Sequence, residues 1–96
     1  MDIQPLYTKI EKSIQSSYGT IVLEHHSGFP HGESNLYCIA QNGEIVWKAE
    51  KPDPYTLYSR VRFNDDGMTL STYTINGHAC DIDPHSGKIL DTTSIQ

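Results

Sequence analysis

The sequence lacks most of the signatures that identify a catalytic or cofactor-binding protein. Its 96 residues contain no G-x-S-x-G, H-E-x-x-H, P-loop or dinucleotide fingerprint, which excludes the common nucleophile, zinc and phosphate motifs. No apolar run approaches the roughly 18 residues that span a membrane. The start of the chain, residues 1–5, lacks the basic and apolar regions of a signal peptide. We therefore expect a cytoplasmic, non-catalytic protein without a cofactor that does not bind membranes.

Cysteine is scarce as well. Cys38 and Cys80 are the two cysteines, no C-x-x-C spacing occurs, and neither is flanked by the residues of a known nucleophile motif. In a reducing compartment a buried cysteine behaves as a small hydrophobic residue. We expect both to lie in the core, with a disulfide or a catalytic thiol as the alternative.

Positive charge is nearly absent from the last third of the chain. The formal net charge is -5, and the segment from Phe63 to the end contains five acids against one base, Lys88. The acids are Asp65, Asp66, Asp81, Asp83 and Asp91. Such a surface repels phosphate backbones, which argues against nucleic acid, and attracts a basic protein. The alternative is an acidic surface that only maintains solubility.

The N-terminal segment has the apolar spacing of a helix. Apolar residues recur at i, i+3, i+4, i+7 and i+11, the spacing of a narrow stripe; they are Ile3, Leu6, Tyr7, Ile10 and Ile14. Asp2 is a capping residue for the first turn, Pro5 is tolerated there, and Tyr18-Gly19 is a stop signal. The pattern predicts a helix over residues 3–17.

Everything after Gly19 has the pattern of strands and turns. Asn42-Gly43 is the strongest hairpin signal in the chain, and the two prolines of residues 51–54 interrupt strand pairing. Seven strands are predicted, over 20–24, 35–41, 44–50, 57–63, 68–75, 78–83 and 88–92. The sequence thus predicts one α+β domain over residues 1–96: an N-terminal helix packed on an antiparallel β-meander of about six to seven strands covering 20–92. The expected core residues are Ile10, Ile14, Leu36, Ile45, Trp47, Val61, Phe63 and Leu70.

Two segments resemble a known repeat. Residues 43–47, Gly-Glu-Ile-Val-Trp, and residues 82–90, Ile-Asp-Pro-His-Ser-Gly-Lys-Ile-Leu, resemble the blades of quinoprotein-type β-propellers, which join an apolar-Asp strand end through a Gly turn to an apolar strand. The likeness covers residues 35–92, about one and a half blades, whereas a propeller needs at least four. It implies local meander geometry without a quinone site. The overall layout is also similar to that of small bacterial immunity proteins, which bind and neutralise a toxin.

Two groups of residues are candidates for binding a partner. The first is the acidic set Asp65, Asp66, Asp81 and Asp83. The second is an alternating stripe of Tyr58, Arg60 and Arg62, with Tyr73 expected across from it on the next strand; tyrosine and arginine are enriched at binding hot spots. The alternatives are a turn role for Asp65 and Asp66 and a polar outer face for the stripe.

Three histidines in one loop raise the question of a metal. His25, His26 and His31 lie within seven residues, and Glu24 or Glu33 is available to complete a Zn²⁺ or Ni²⁺ shell. Adjacent residues of an extended chain point to opposite sides, which argues against all three joining, so no metal is expected and this site remains an alternative. The segment 81–87 superficially resembles a calcium loop but lacks its ligand spacing.

These observations favour a non-catalytic protein-binding module, an immunity or antitoxin-like inhibitor that binds a basic partner through an acidic face. One alternative is a metal- or small-molecule-binding module, or a minor enzyme, that uses the histidine loop. Another is a self-assembling β protein, because a short meander leaves exposed edges at strands 20–24 or 88–92. The oligomeric state expected is a monomer or an edge-paired homodimer.

Overall fold

The regular secondary structure of the part that the computed structural model describes, residues 3–94, consists of β-strands, without a helix. The eight strands are β1 (Ile10–Ser16), β2 (Gly19–Glu24), β3 (Leu36–Ile39), β4 (Ile45–Lys48), β5 (Tyr58–Phe63), β6 (Leu70–Thr74), β7 (His78–Ile82) and β8 (Ile89–Ser94). They form two four-stranded antiparallel meanders, sheet A with the order β1-β2-β3-β4 and sheet B with the order β5-β6-β7-β8. No helix within the described range is long and apolar enough to cross a membrane.

The predicted N-terminal helix is wrong. Residues 10–16 form strand β1, which pairs with β2 through a register shift between Ile10 and Lys12, and Leu6 and Tyr7 are exposed. The shift places Ile10 opposite Glu24 and Ile14 opposite Ile21, on different faces of the strand, so the helical spacing of these two residues has no counterpart in the fold. The β-branched run that follows Gly19 supplies a pairing partner across a two-residue turn, and pairing with it decides the outcome. Asp2, the expected cap, lies outside the described residues.

The seven predicted strands correspond to β2–β8, but they do not form one sheet. Pairing stops at the segment with two prolines between β4 and β5, and the chain starts a second sheet there. Strand β2 is an interior strand of sheet A, so the predicted edge at residues 20–24 is wrong, whereas β8 is an edge of sheet B. The α+β helix-on-meander architecture is thus replaced by two all-β layers.

The core lies between the two sheets and draws on both. Its buried members are Ile21, Leu23, Leu36, Cys38, Trp47, Ala49, Tyr58, Val61, Leu70, Cys80 and Ile82, with Ile14, Phe63 and Ile89 packed against them. Six of the eight expected core residues belong to this cluster or pack on it. Ile45 is 40% exposed, because a register shift between Cys38 and Ile39 interrupts the alternation along β4. Ile10 is only partly buried.

Side-chain to backbone hydrogen bonds join the two sheets. Trp47 Nε1 in β4 donates to the carbonyl oxygen of Pro84 in the β7–β8 turn at 2.9 Å. The glycine of that turn, Gly87, has a φ of 77°, and a Cβ added there would lie 2.6 Å from Trp47 Cε3. The turn therefore needs glycine for its backbone conformation and for the close approach of the indole ring.

Candidate functional site

The outer face of sheet B carries four of the eight predicted partner-binding residues, namely Arg60, Arg62, Tyr73 and Asp81. Arg60 and Arg62 of β5 and Tyr73 of β6 are exposed, and Arg60 is paired with Tyr73 across the two strands. Asp81 lies on β7 in the same transverse row as Arg62, with Ser71 of β6 between them. Arg60, Arg62 and Asp81 therefore share one face, with the two bases on β5 and the acid on β7.

Tyr58 does not belong to this surface. The ladder between β5 and β6 shifts register between Tyr58 and Arg60, so a β-bulge at Ser59 turns Tyr58 to the core side while Arg60 and Arg62 remain outside. The tyrosine is fully buried, and its hydroxyl donates to the carbonyl oxygen of Glu50. Strict alternation of side chains along β5 predicts that Tyr58 shares the outer face with Arg60 and Arg62. The extra residue of the bulge, Ser59, moves Tyr58 to the core face instead.

Five carboxylates form what we term the acidic surface: Asp65, Asp66, Asp81, Asp83 and Asp91. Asp65 and Asp66 lie in the β5–β6 turn and Asp83 in the β7–β8 turn, and in a meander these two turns are at the same end of the sheet. Asp81 and Asp91 are directly opposite each other on β7 and β8. The four acids predicted from the sequence are thus brought together, and Asp91 joins them.

These carboxylates have no cationic partner among residues 3–94. Asp66 accepts a hydrogen bond from the backbone N–H of Met68 at 2.8 Å, and Asp83 accepts from the N–H of His85 at 2.9 Å. Both bonds shape the turns, as expected for aspartate. The ion pair within this range is Lys48 with Glu33, at 3.3 Å on the other sheet. None of the five carboxylates is therefore neutralised by an ion pair within residues 3–94, and the nearest bases are Lys88, whose carbonyl oxygen accepts the Asp83 N–H at 2.9 Å, and Arg62, in the row of Asp81.

A groove of about 280 Å³ lies beside the arginines. Residues of β1 contribute Glu11 and Lys12, and residues of β5 and β6 contribute Ser59, Arg60, Val61, Arg62, Ser71 and Tyr73. We call it the basic groove, because it contains three cationic side chains and one carboxylate. Both β1 and β5 are edge strands of their sheets, so the groove lies where two sheet edges meet.

Lys12 and Glu11 were missed at the sequence level. Both fall in the segment assigned to a helix, and a helix gives no reason to place them near residues 59–62. The β-strand assignment of residues 10–16 brings them to the groove. Residues 10–16 carry no apolar alternation that would have signalled a strand, because Lys12 and Ser16 alternate with Ile10 and Ile14.

The histidine loop does not assemble a metal centre. His25 and His26 stack with ring centroids 4.8 Å apart, contrary to the expectation that they point to opposite sides. His25 Nδ1 accepts the N–H of Ser27 at 3.0 Å, and His31 Nδ1 lies 3.1 Å from the carbonyl oxygen of Tyr55. No three His, Cys, Asp or Glu residues within 3–94 are grouped so as to hold a metal ion.

Glu24, the proposed extra ligand, is committed to the fold. Its buried carboxylate accepts hydrogen bonds from the backbone N–H groups of Leu6 at 2.6 Å, Tyr7 at 3.0 Å and Thr8 at 2.9 Å, and from the hydroxyl of Tyr37. Burial acts to raise the pKa of Glu24, but these four donors outweigh it and hold the pKa below its ordinary value. The carboxylate thereby fastens the segment before β1 to sheet A.

The two cysteines are buried free thiols, in agreement with their predicted core role. Burial raises the pKa of Cys38 and of Cys80, so neither thiol ionises readily. Cys80 Sγ accepts a hydrogen bond from Thr92 Oγ1 at 3.8 Å, and Cys38 lies against the carbonyl oxygen of Tyr18 at 3.5 Å. Their surroundings are those of packing residues.

The chain belongs to the family described as Domain of unknown function (DUF7957), whose model matches residues 5–94. The match spans all eight strands and both surfaces described above. No curated protein matches the chain.

Proposed function

We propose that the protein is a non-catalytic protein-binding module, an immunity or antitoxin-like inhibitor whose acidic surface binds a basic partner. The observation that supports this function best is the set of five carboxylates toward one end of sheet B, none of which forms an ion pair within residues 3–94. We further propose that it acts in the cytoplasm of a bacterial cell. The two buried free cysteines are compatible with a reducing compartment.

The opposed pair Asp81 and Asp91 supports the proposal energetically. Like charges directly across a strand pair destabilise a sheet by about 0.2–1 kcal/mol. Arg62, in the same transverse row, is separated from Asp81 by a whole strand and does not form an ion pair with it. A lysine or arginine of a partner placed between the two carboxylates removes this repulsion. Binding a basic partner at this pair is therefore more favourable than binding it at a single aspartate.

The position of the charges also suits rapid association. Asp65 is exposed at the tip of the β5–β6 turn, and Asp83 is at the same end of the sheet. Uncompensated charges on one end of a domain steer an oppositely charged protein toward that end and raise its association rate at low salt. We therefore expect binding through the acidic surface to show its charge dependence mainly in the association rate.

The test uses the protein encoded immediately upstream of this gene in its native genome, where an immunity protein has its toxin. The two proteins are co-expressed, and association is measured by stopped flow at about 50 and 500 mM salt, where the screening length falls from above ~10 Å to a few ångströms. Asp65→Lys is the test variant, because the Asp65 side chain forms no hydrogen bond within residues 3–94. Glu44→Lys is the matched control, an exposed turn acid on sheet A with the same change of charge.

Asp65→Lys should lower the association rate several-fold at low salt and flatten its salt dependence, whereas Glu44→Lys should leave both near the wild-type values. Equal effects of the two variants would show that only net charge matters and would contradict a localised acidic surface. If the upstream protein forms no complex with this chain, the immunity or antitoxin assignment is wrong.

A further inference from the structure

The basic groove is positive in a protein whose net charge is -5. Lys12, Arg60 and Arg62 line it against one carboxylate, Glu11. All three cations are exposed, and none of them forms an ion pair within residues 3–94. Asp81, in the same transverse row as Arg62, is two strands away from it, about 10 Å at the usual strand spacing. Three cations against one carboxylate therefore leave an excess of two positive charges in the groove.

Two β-bulges direct side chains into the basic groove. The ladder between β1 and β2 shifts register between Ile10 and Lys12, and the interrupted alternation explains why two consecutive residues, Glu11 and Lys12, both line the groove. The bulge at Ser59 has the same effect in β5, where Ser59 and Arg60 both line the groove. Bulges re-aim side chains at sheet edges and next to active sites. Each wall of the groove is thus formed by a bulged edge strand.

The arginines are spaced so that both reach one anionic group. Arg60 and Arg62 are two residues apart on one face of β5, which separates their Cβ atoms by about 6–7 Å. Tyr73 lies opposite Arg60 and Ser71 lies opposite Arg62, at the Cβ–Cβ distance of about 4.5–5.5 Å that opposed residues have. Guanidinium groups bind phosphate and carboxylate oxygens through paired, charge-assisted hydrogen bonds. Two of them on flexible stems at this spacing can converge on a single acid, with the Ser71 hydroxyl as a further donor.

A phosphate monoester matches this charge better than a carboxylate does. Its charge at pH 7 is about -1.5 to -2, and it has three acceptor oxygens. These oxygens can take hydrogen bonds from both arginines at once, while Lys12 contributes a third positive charge from the β1 wall. A single carboxylate has one charge and two oxygens, and it would leave part of the excess positive charge without a partner.

Tyr73 indicates what the phosphate is attached to. Its side chain is 43% exposed and lines the groove next to Arg60. Aromatic rings stack on one another in offset or edge-to-face arrangements, so a flat ring is favoured beside Tyr73. The volume of about 280 Å³ lies just below the range of about 300–1,000 Å³ for sites of drug-sized ligands. The groove therefore has room for one small ring together with its phosphate.

We propose that the basic groove binds an aryl phosphate monoester, with the phosphate between Arg60 and Arg62 and the ring against Tyr73. This chemistry is shared by a free aromatic phosphate and by a phosphotyrosine side chain of a partner protein. The site takes a ligand of the opposite charge to the one expected at the acidic surface, and it shares no residue with that surface.

The probe is phenyl phosphate, titrated at low salt into the isotopically labelled full chain at about pH 7.5, where the phosphate is a dianion, and followed by amide chemical shifts. Phenyl sulfate keeps the shape but has one charge, propyl phosphate keeps the charge but lacks the ring, and succinate is a dicarboxylate of equal charge. We expect saturable shifts centred on residues 11–12, 59–62 and 71–73. All three control ligands should bind several-fold more weakly than phenyl phosphate.

Three protein variants complete the design. Arg62→Gln removes a charge from the groove, and Lys88→Gln removes the same charge from an exposed residue elsewhere on sheet B. Tyr73→Thr removes the ring but keeps a residue that favours strands. All three replaced side chains are exposed, so the core is undisturbed. We expect Arg62→Gln to weaken phenyl phosphate binding at least tenfold, Lys88→Gln to match wild type, and Tyr73→Thr to reduce phenyl phosphate to the level of propyl phosphate.

A pool of peptides, each with one phosphotyrosine between randomised residues, identifies the source of the ligand. Enrichment of particular flanking residues on the wild-type chain, lost in Arg62→Gln, assigns the site to a phosphorylated partner protein. Binding of the whole pool with the affinity of capped phosphotyrosine assigns it to a free aromatic phosphate. Either result supports an aryl phosphate site.

Three results would overturn the proposal. The first is the absence of saturable shifts with phenyl phosphate. The second is equal affinity for succinate, which would show that the groove recognises charge without a phosphate or a ring. The third is an equal loss of affinity in Arg62→Gln and Lys88→Gln, which would reveal non-specific attraction. None of these outcomes depends on the upstream protein or on Asp65, so they leave the proposed function untouched.

Discussion

Glu24 offers the sharpest test of how this fold is held together. Its carboxylate is fully buried and accepts four hydrogen bonds, three from the backbone of residues 6–8 and one from Tyr37. Oε1 receives the N–H groups of Tyr7 and Thr8, and Oε2 receives the N–H of Leu6 and the Tyr37 hydroxyl. Glu24→Gln keeps the shape of the side chain but replaces one of these acceptor oxygens with an NH₂ group.

The cost of this substitution follows from the number of donors that lose an acceptor. An NH₂ group at the Oε1 position would face the N–H groups of Tyr7 and Thr8, whereas at the Oε2 position it faces the N–H of Leu6 and the Tyr37 hydroxyl. A phenol hydroxyl can also accept a hydrogen bond, so the second orientation leaves one donor without an acceptor and is the one we expect. A donor left without a partner costs about 1–3 kcal/mol, which is the expected loss. A total stability of about 5–15 kcal/mol is ordinary for a domain, and a loss of ~3 kcal/mol corresponds to a fall in Tm of roughly 12–24 °C.

The loss should also depend on pH. The pKa of Glu24 in the folded chain lies below its ordinary value of 4.5, so the unfolded chain binds the proton first as the pH falls. The stabilisation by the carboxylate is therefore fully present above about pH 4.5 and is lost as the pH falls through the folded pKa. The difference in stability between wild type and Glu24→Gln should be largest near pH 6 and should shrink toward pH 3.

Urea unfolding followed by the fluorescence of the buried Trp47 measures both effects, and amide exchange of residues 6–8 reports the local change. Glu33→Gln is the control: its side chain is 43% exposed in an ion pair with Lys48, and such pairs contribute under about 1 kcal/mol. If Glu24→Gln lies within about 0.5 kcal/mol of wild type, or if its deficit is constant with pH, the carboxylate does not anchor the N-terminal segment.

Two further substitutions test the junction between the sheets. Asn35→Ala removes the three hydrogen bonds of the buried amide and leaves the N–H and C=O of Tyr58 unpaired, which should cost about 2–4 kcal/mol in urea unfolding; a loss under ~0.5 kcal/mol would mean that water replaces the amide. Gly87→Ala should cost more than Gly43→Ala, because both glycines have a positive φ, of 77° and 90°, but only the added Cβ at Gly87 meets the Trp47 ring. Equal losses would show that the backbone conformation alone requires glycine.

The sequence was informative wherever the signal is local. Turn residues such as Asn42-Gly43 mark the hairpins, and the prolines of residues 51–54 mark the point where one sheet ends. The fold class was wrong because the spacing of Ile10 and Ile14 matches a helix, whereas residues 10–16 form a strand through pairing with β2, which the local pattern does not report. A strand that borders a β-branched run across a short turn gains a full ladder of hydrogen bonds, whereas an isolated helix of this length is marginal.

The candidate surfaces were predictable to different degrees. The acidic surface follows from composition and turn positions, because short hairpins place alternate turns at one end of a sheet. The stripe was correct for Arg60, Arg62 and Tyr73 as exposed residues, but one bulged residue moved Tyr58 into the core. No sequence periodicity reports a bulge at Ser59, since its cause is the pairing with β6.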